Sequence, residues 1–248
     1  MRIFALSDLH VDFEENWAWV QALSPVDYQR DVLIVAGDIT HQIERALQTF
    51  HVLRKRFLRV LFVPGNHDLW VRGERGDSLK KMDTLRSACE ECGIDITPAE
   101  VHGVRLVPLF SWYCSQFDPR CQDYKVPVAW GDYRYCKWPE EVKEIDRYFS
   151  SLNGEPSTSE GLTVTFSHFL PRWELLPDVT YLRFKALPLV AGSHIIEDQL
   201  REWGARIHVF GHSHIPWDEE LDGVRYVQQP LAYPKERRGR TPRLKKIY

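Results

Sequence analysis

The sequence predicts an α/β fold built on parallel strands. Short apolar runs alternate with helix-like stretches over roughly the first 60 residues, the pattern of βαβ units. Asp, Asn or His residues follow the ends of five such runs, where open α/β sheets collect their ligands. The chain has 248 residues, enough to bury a full core in one large domain.

The elements are expected in this order. Residues 2–7 read as a short strand, 31–36 (DVLIVA) as a buried one and 58–63 (LRVLFV) as a third. Helical stretches at 16–23 and 41–56 connect them, in crossovers that are almost always right-handed. A helix is expected over 77–92, stopped by Gly93. A strand at 104–110 then leads into a long irregular region, 111–138, rich in aromatics and Pro. Pro139 suits the first turn of a helix running to 152, and 153–161 (NGEPSTSEG) is a surface loop. Residues 162–167 form a strand, 193–203 a helix ended by Gly204, and 205–210 a strand. Gly223 marks a turn before a last strand at 224–228. The expected domain is thus 1–248, with an aromatic-rich insertion around 111–138 and a basic segment at 235–248.

Composition is that of an ordinary globular protein, 44% hydrophobic and 27% charged. A net charge of -3 excludes a chain that is a polyanion binder throughout. The end of the chain differs: residues 235–248 hold seven Lys or Arg against one Glu. That run reads as a solvated tail, the commoner outcome, or as a basic arm near RNA or DNA. It lacks the interleaved aromatics of a base-stacking platform. Pro230 and Pro234 also allow the segment from Leu231 to return over the sheet edge.

The five cysteines, at 89, 92, 114, 121 and 136, make a poor disulfide framework. Cys89-Glu-Glu-Cys92 is a lone pair on an expected helix, read as structural. No signal-peptide pattern opens the sequence and no apolar run approaches a membrane span, so the expected location is the cytoplasm.

Five segments carry the chemistry: Asp8-Leu9-His10, Gly37-Asp38, Gly65-Asn66-His67-Asp68, Ser167-His168 and Gly211-His212-Ser213-His214. Each sits where an apolar run ends. Asp8 and His10, like His212 and His214, are two apart, so in extended chain each pair faces one side. Glycines precede three of the ligands, where backbone turns sharply or approaches an ion closely. A single Asp at a strand end is more often a cap, and a single buried His more often a core residue. Their ordered recurrence is what indicates a site for two metal ions and hydrolysis, most often at phosphorus.

The five segments together resemble the calcineurin-like metallophosphoesterase superfamily, with no motif position missing from Asp8 to His214. The resemblance implies a four-layer α/β/β/α sandwich. It implies that Asp8, His10 and His214 hold one metal, that Asn66, His168 and His212 hold a second, and that Asp38 bridges both. His67 would face the leaving group, with Asp68 orienting its ring. The donor types suit Mn, Fe or Zn rather than a thiolate-seeking ion. A pair of cations bridged by Asp38 lowers the pKa of a shared water, whose hydroxide attacks phosphorus in line. His67 then protonates the departing alkoxide as general acid.

The superfamily covers monoesterases, diesterases and nucleases, and its motifs do not select among them. A compact chain tilts the expectation to a small phosphate ester, with nucleic acid as the alternative. A non-catalytic scaffold is the reading of another class, and the intact ligand set with His67 argues against it. Trp112 and Tyr113 are expected at the mouth of the site, and Arg72, Arg183 and Lys185 as possible phosphate contacts.

Overall fold

Strand β2 (Val32–Ala36) is buried along its whole length, and its side chains serve two cores in alternation. Val32, Ile34 and Ala36 face one way, Leu33 and Val35 the other. This two-residue period explains why the run is apolar without interruption: both faces are covered. In β1 (Ile3–Leu6) the same split places Ile3 and Ala5 opposite Phe4 and Leu6. The computed structural model describes residues 1–73, 75–121, 123–157, 161–237 and 239–248. The expected loop at 153–161 lies partly outside them.

β1, β2 and β3 (Arg59–Val63) are parallel, joined by helices α1 (Glu14–Gln21) and α2 (Ile43–Arg54). The second sheet holds β4 (Ala99–Val101), β5 (Val104–Pro108), β6 (Leu162–Phe166), β7 (Ile207–Phe210), β9 (Val224–Gln228) and β8 (Trp217–Leu221), in that spatial order. Its four central strands, β5, β6, β7 and β9, are parallel, and both edges are antiparallel. Inward residues of the two sheets form one core, with Ile34 and Val63 sharing it with Val164, Phe166 and Val209. Outside the first sheet, Leu33, Val35 and Phe62 pack with Phe50 and Leu53 of α2 and with Leu85 of α3 (Ser78–Cys92). Outside the second, Val107, Phe210 and Tyr226 pack with Phe149 of α5 (Ile145–Ser151) and Leu200 of α6 (His194–Glu202). The expected four-layer α/β/β/α sandwich is the one observed.

α3 ends as expected at Gly93, φ 66°, and begins one residue later than expected: Asp77 is its cap, and its carboxylate accepts from Leu79 N and Lys80 N. α5 starts six residues later than expected from Pro139. Trp138 is drawn inward against Trp112 and Phe149, and Val142 N donates to Pro139 O, so 139–144 turns before the helix begins. The irregular region contains a 3-10 turn at Pro119–Cys121 and the short helix α4 (Gly131–Tyr135). Strands β4 and β8 were not anticipated. β8 reads WDEEL, too charged to signal a strand, yet charge is what protects an edge.

The basic end is not a solvated tail. Its last strand, β10 (Lys245–Lys246), pairs antiparallel with β1, Ile247 is buried, and Ile3 N donates to Tyr248 O. Lys245 Nζ lies 2.5 Å from Asp218 of β8. The five cysteines are free thiols, and Cys89 is packed in the core outside the first sheet. Among the described residues, no helix is long and apolar enough to cross a membrane.

Candidate metal centre and catalytic site

The parallel strands of both sheets end on one edge, and five of them deliver side chains there. Asp8 and His10 follow β1, Asp38 follows β2, Asn66 and His67 follow β3, His168 follows β6, and His212 and His214 follow β7. Five of these residues have left-handed backbone: Asp8 (φ 53°), His10 (42°), Asp38 (57°), His212 (71°) and His214 (58°). Non-glycine residues adopt this region at a cost, and clustering of such strain marks a functional site. Two glycines make room. A Cβ on Gly37 would lie 2.4 Å from His168 Nδ1, and one on Gly65 would lie 2.2 Å from an Asp38 oxygen.

Ligand atoms of Asp8, His10, Asp38 and His214 all lie within 4.8 Å of one another. His10 Nε2 faces His214 Nε2 at 3.0 Å. The Nδ1 of His214 is held 2.6 Å from Glu236 Oε2, which keeps a proton on Nδ1 and directs the Nε2 lone pair at the group. On the other side of Asp38, Asn66 Oδ1 lies 3.1 Å from both His168 Nε2 and His212 Nδ1. His168 Nδ1 donates to Ala36 O at 2.9 Å, so neutral His168 turns its Nε2 lone pair towards an amide oxygen. Lone pairs converging in a buried site call for a cation, and these donors fit one. Burial and the charges of Asp68 and Asp8 push the Asp38 carboxyl well up from its ordinary range, a cost that bound positive charge removes. His168 Nε2 and His10 Nε2 lie 3.6 and 3.8 Å from the same oxygen of Asp38, between the two groups.

His67 lines the cleft, with its Nε2 4.0 Å from Asp38 Oδ2. Its backbone N donates to Asp38 Oδ1 at 2.9 Å, and its ring stacks on Trp70 with centroids 3.6 Å apart. The expectation that Asp68 orients this ring is corrected. Asp68 points back beneath the loop after β2 and accepts from the amides of Asp38, Ile39, Thr40 and Gly65, at 2.8–3.0 Å. Both of its oxygens are thus committed to shaping the loop that carries Asp38. Burial still raises its carboxyl to about 6. The ring partner of His67 is the Tyr233 hydroxyl, 3.3 Å from Nε2.

Tyr233 and Glu236 were missed by sequence reasoning. They arrive because the chain after β9 folds back over β1: Leu231 N donates to Ser7 O and Ala232 N to Asp8 O. The two prolines of that segment were the available signal.

Trp112 and Tyr113 are also corrected. Trp112 is buried against Trp138, Phe149 and Phe169 in the outer core, because the chain leaving β5 turns it towards the helix layer. Tyr113 packs edge-on against Phe169, and its ring centroid lies 6.5 Å from that of His212. The cleft above the donors, about 700 Å³, is lined by Trp70, Trp130, Tyr181, Leu182, Phe184 and Ile215, with Arg183 and Arg240 beside them. Of the three suggested phosphate contacts only Arg183 lies there. Lys185 caps Val179 O and Thr180 O, and Arg72 stacks on Tyr135.

A sandwich of this topology with an acid- and imidazole-lined edge defines a class of metal-dependent hydrolases. The calcineurin-like phosphoesterase family model matches residues 1–216, so the chain belongs to that family and is a metal-dependent phosphoesterase. Among individual proteins it is similar to the [acyl-carrier-protein] phosphodiesterase PptH of Mycobacterium tuberculosis, at 29% identity over 97% of this chain and 80% of the relative. The crystal structure of that phosphopantetheinyl hydrolase superposes with a TM-score of 0.81, at 25% identity over 99% of this chain and 95% of the other.

Proposed function

We propose that the enzyme hydrolyses a phosphodiester, releasing a phosphopantetheine-type arm from an acyl carrier protein, at a centre of two transition-metal ions. The ions are Mn, Fe or Zn by donor chemistry, since the set contains carboxylate, amide oxygen and imidazole but no thiolate. Asp8, His10 and His214 would hold one, Asn66, His168 and His212 the other, and Asp38 would serve both. When bound, such a pair supplies a nucleophile from water at neutral pH and positive charge for the phosphoryl oxygens.

His67 stands beside Asp38 on the cleft side, where a leaving oxygen would depart. Burial and the imidazoles of His214, His168 and His212 hold its pKa well below the ordinary range. An anionic ester in the cleft opposes that shift, so substrate binding and protonation of the acid are coupled. Tyr233 and Trp70 fix the ring for this role.

The cleft carries the choice of substrate. Its floor is the donor set and its walls are apolar and aromatic, which suits a long uncharged arm ending in phosphate. This reading, resting also on the likeness to PptH, moves from a free small ester to an arm on a carrier. The nuclease alternative rested on the basic run, of which Lys245 and Lys246 pair with the first sheet while Arg240 stands beside the cleft. The scaffold reading is opposed by the complete donor set. We place the enzyme in the cytoplasm.

The test is incubation of metal-loaded enzyme with phosphopantetheinylated carrier protein, p-nitrophenyl phosphate, its bis ester and single-stranded RNA. Loss of the arm's mass from the carrier, together with preference for the bis ester, is expected. Cleavage of RNA or of the monoester alone would overturn the reading.

A further inference from the structure

Asp132 lies in the aromatic insertion, on α4, and is 2% exposed. Its Oδ1 accepts from Asn66 Nδ2 at 2.8 Å and from Trp70 Nε1 at 2.7 Å. Its Oδ2 accepts from Trp130 Nε1 at 2.9 Å. An indole N–H only donates and a carboxylate only accepts, so the three bonds have one possible direction. Each donor belongs to a different part of the site. Asn66 turns its amide oxygen to His168 and His212. Trp70 is the platform under the His67 ring. Trp130 lines the cleft and stacks on Phe184, with centroids 5.2 Å apart and planes at 13°. The packing is close: a Cβ on Gly131, next to Asp132, would lie 2.6 Å from the Trp70 ring.

We propose that Asp132 is a positioning residue that ties the orientation of one metal ligand to the stacking base of the acid and to the substrate wall. The inference rests on the two-metal reading above. The direction of the Asn66 amide depends on it. With Nδ2 bound to Asp132, only Oδ1 can face the metal side; an Asn at 132 places an amide N–H₂ against donors and permits Asn66 to flip. A flipped Asn66 presents N–H groups, which ligate nothing. Such supporting carboxylates typically change metal affinity or activity roughly 10–100-fold.

The test is Asp132→Asn, nearly isosteric, titrated with Mn(II) beside the wild type, with thermal unfolding of both metal-free proteins and their tryptophan emission. Wild type should bind in two steps. The variant should keep one step and weaken the other roughly 10–100-fold. Its emission should shift as one of the two indoles loses its acceptor, and kcat on the bis ester should fall. Trp130→Phe, which removes only the wall's bond, should keep both binding steps and raise KM on the carrier substrate. Two unchanged steps in Asp132→Asn would overturn the proposal. So would equal weakening of both steps with a large drop in melting temperature, which marks general damage. A single step in the wild type would overturn the two-metal reading, and this inference with it, before any substitution is compared.

Discussion

Asp38 stands between two groups of donors, and its neighbours make two residue-scale outcomes measurable. Asp38→Ala should release at least one metal ion, because imidazoles of both groups approach the same carboxylate oxygen at 3.6 and 3.8 Å. Elemental analysis finding two ions at full occupancy would remove the bridging role. His67→Ala should lower the rate on poor leaving groups roughly 10²–10⁴-fold, the usual contribution of a general acid. The loss should be smaller on a p-nitrophenolate leaving group, which departs unaided, and equal losses would refute the assignment. The His67 side chain is positioned by Trp70, three residues on, and by Tyr233 from the segment after β9, and not by its sequence neighbour Asp68. Adjacent residues in a 3-10 turn point in different directions. Asp68 therefore organises the Asp38 loop, while its neighbour faces the cleft.

At the scale of elements, the edge strand β8 is held by charge. Asp218 pairs with Arg225 of β9 and Lys245 of β10, and the hydrogen bond from Arg225 is the largest reason its carboxyl falls from 3.8 to about 2. The depressed pKa sets the sign: this pairing stabilises the fold above the unfolded value and is lost as pH falls through the folded one. Wild type should exceed Asp218→Asn in stability at pH 6, and the gap should close between about pH 4 and 2. Urea unfolding across that range checks it; a gap independent of pH would refute it. β8 also shows why some elements were not legible. Strand recognition relied on apolar runs, and an edge strand exposes most of its side chains. The Asp222-Gly223 turn, with φ of 49° and 76°, was the better signal for the β8–β9 hairpin.

For the whole molecule, the end of the chain closes the first sheet and brings its preceding loop to the site. Removing residues 245–248 exposes the edge of β1 and the apolar surface under Ile247. It should cost roughly 2–4 kcal/mol, one large buried side chain and a few edge hydrogen bonds. The denaturation midpoint reports it, and an unchanged midpoint would mean the strand contributes nothing. The sequence by itself determined the parallel core strands, the order of the donors and the positions of the glycines that make room for them. Those features are local: an apolar run, a sharp turn, a ligand at the strand end. Only the tertiary structure decided that Tyr233 and Glu236 join the site, that Asp132 gathers Asn66, Trp70 and Trp130, and that Trp112 belongs to the core. These depend on contacts between segments distant in the chain, and no local pattern encodes which distant partner a buried polar group will meet.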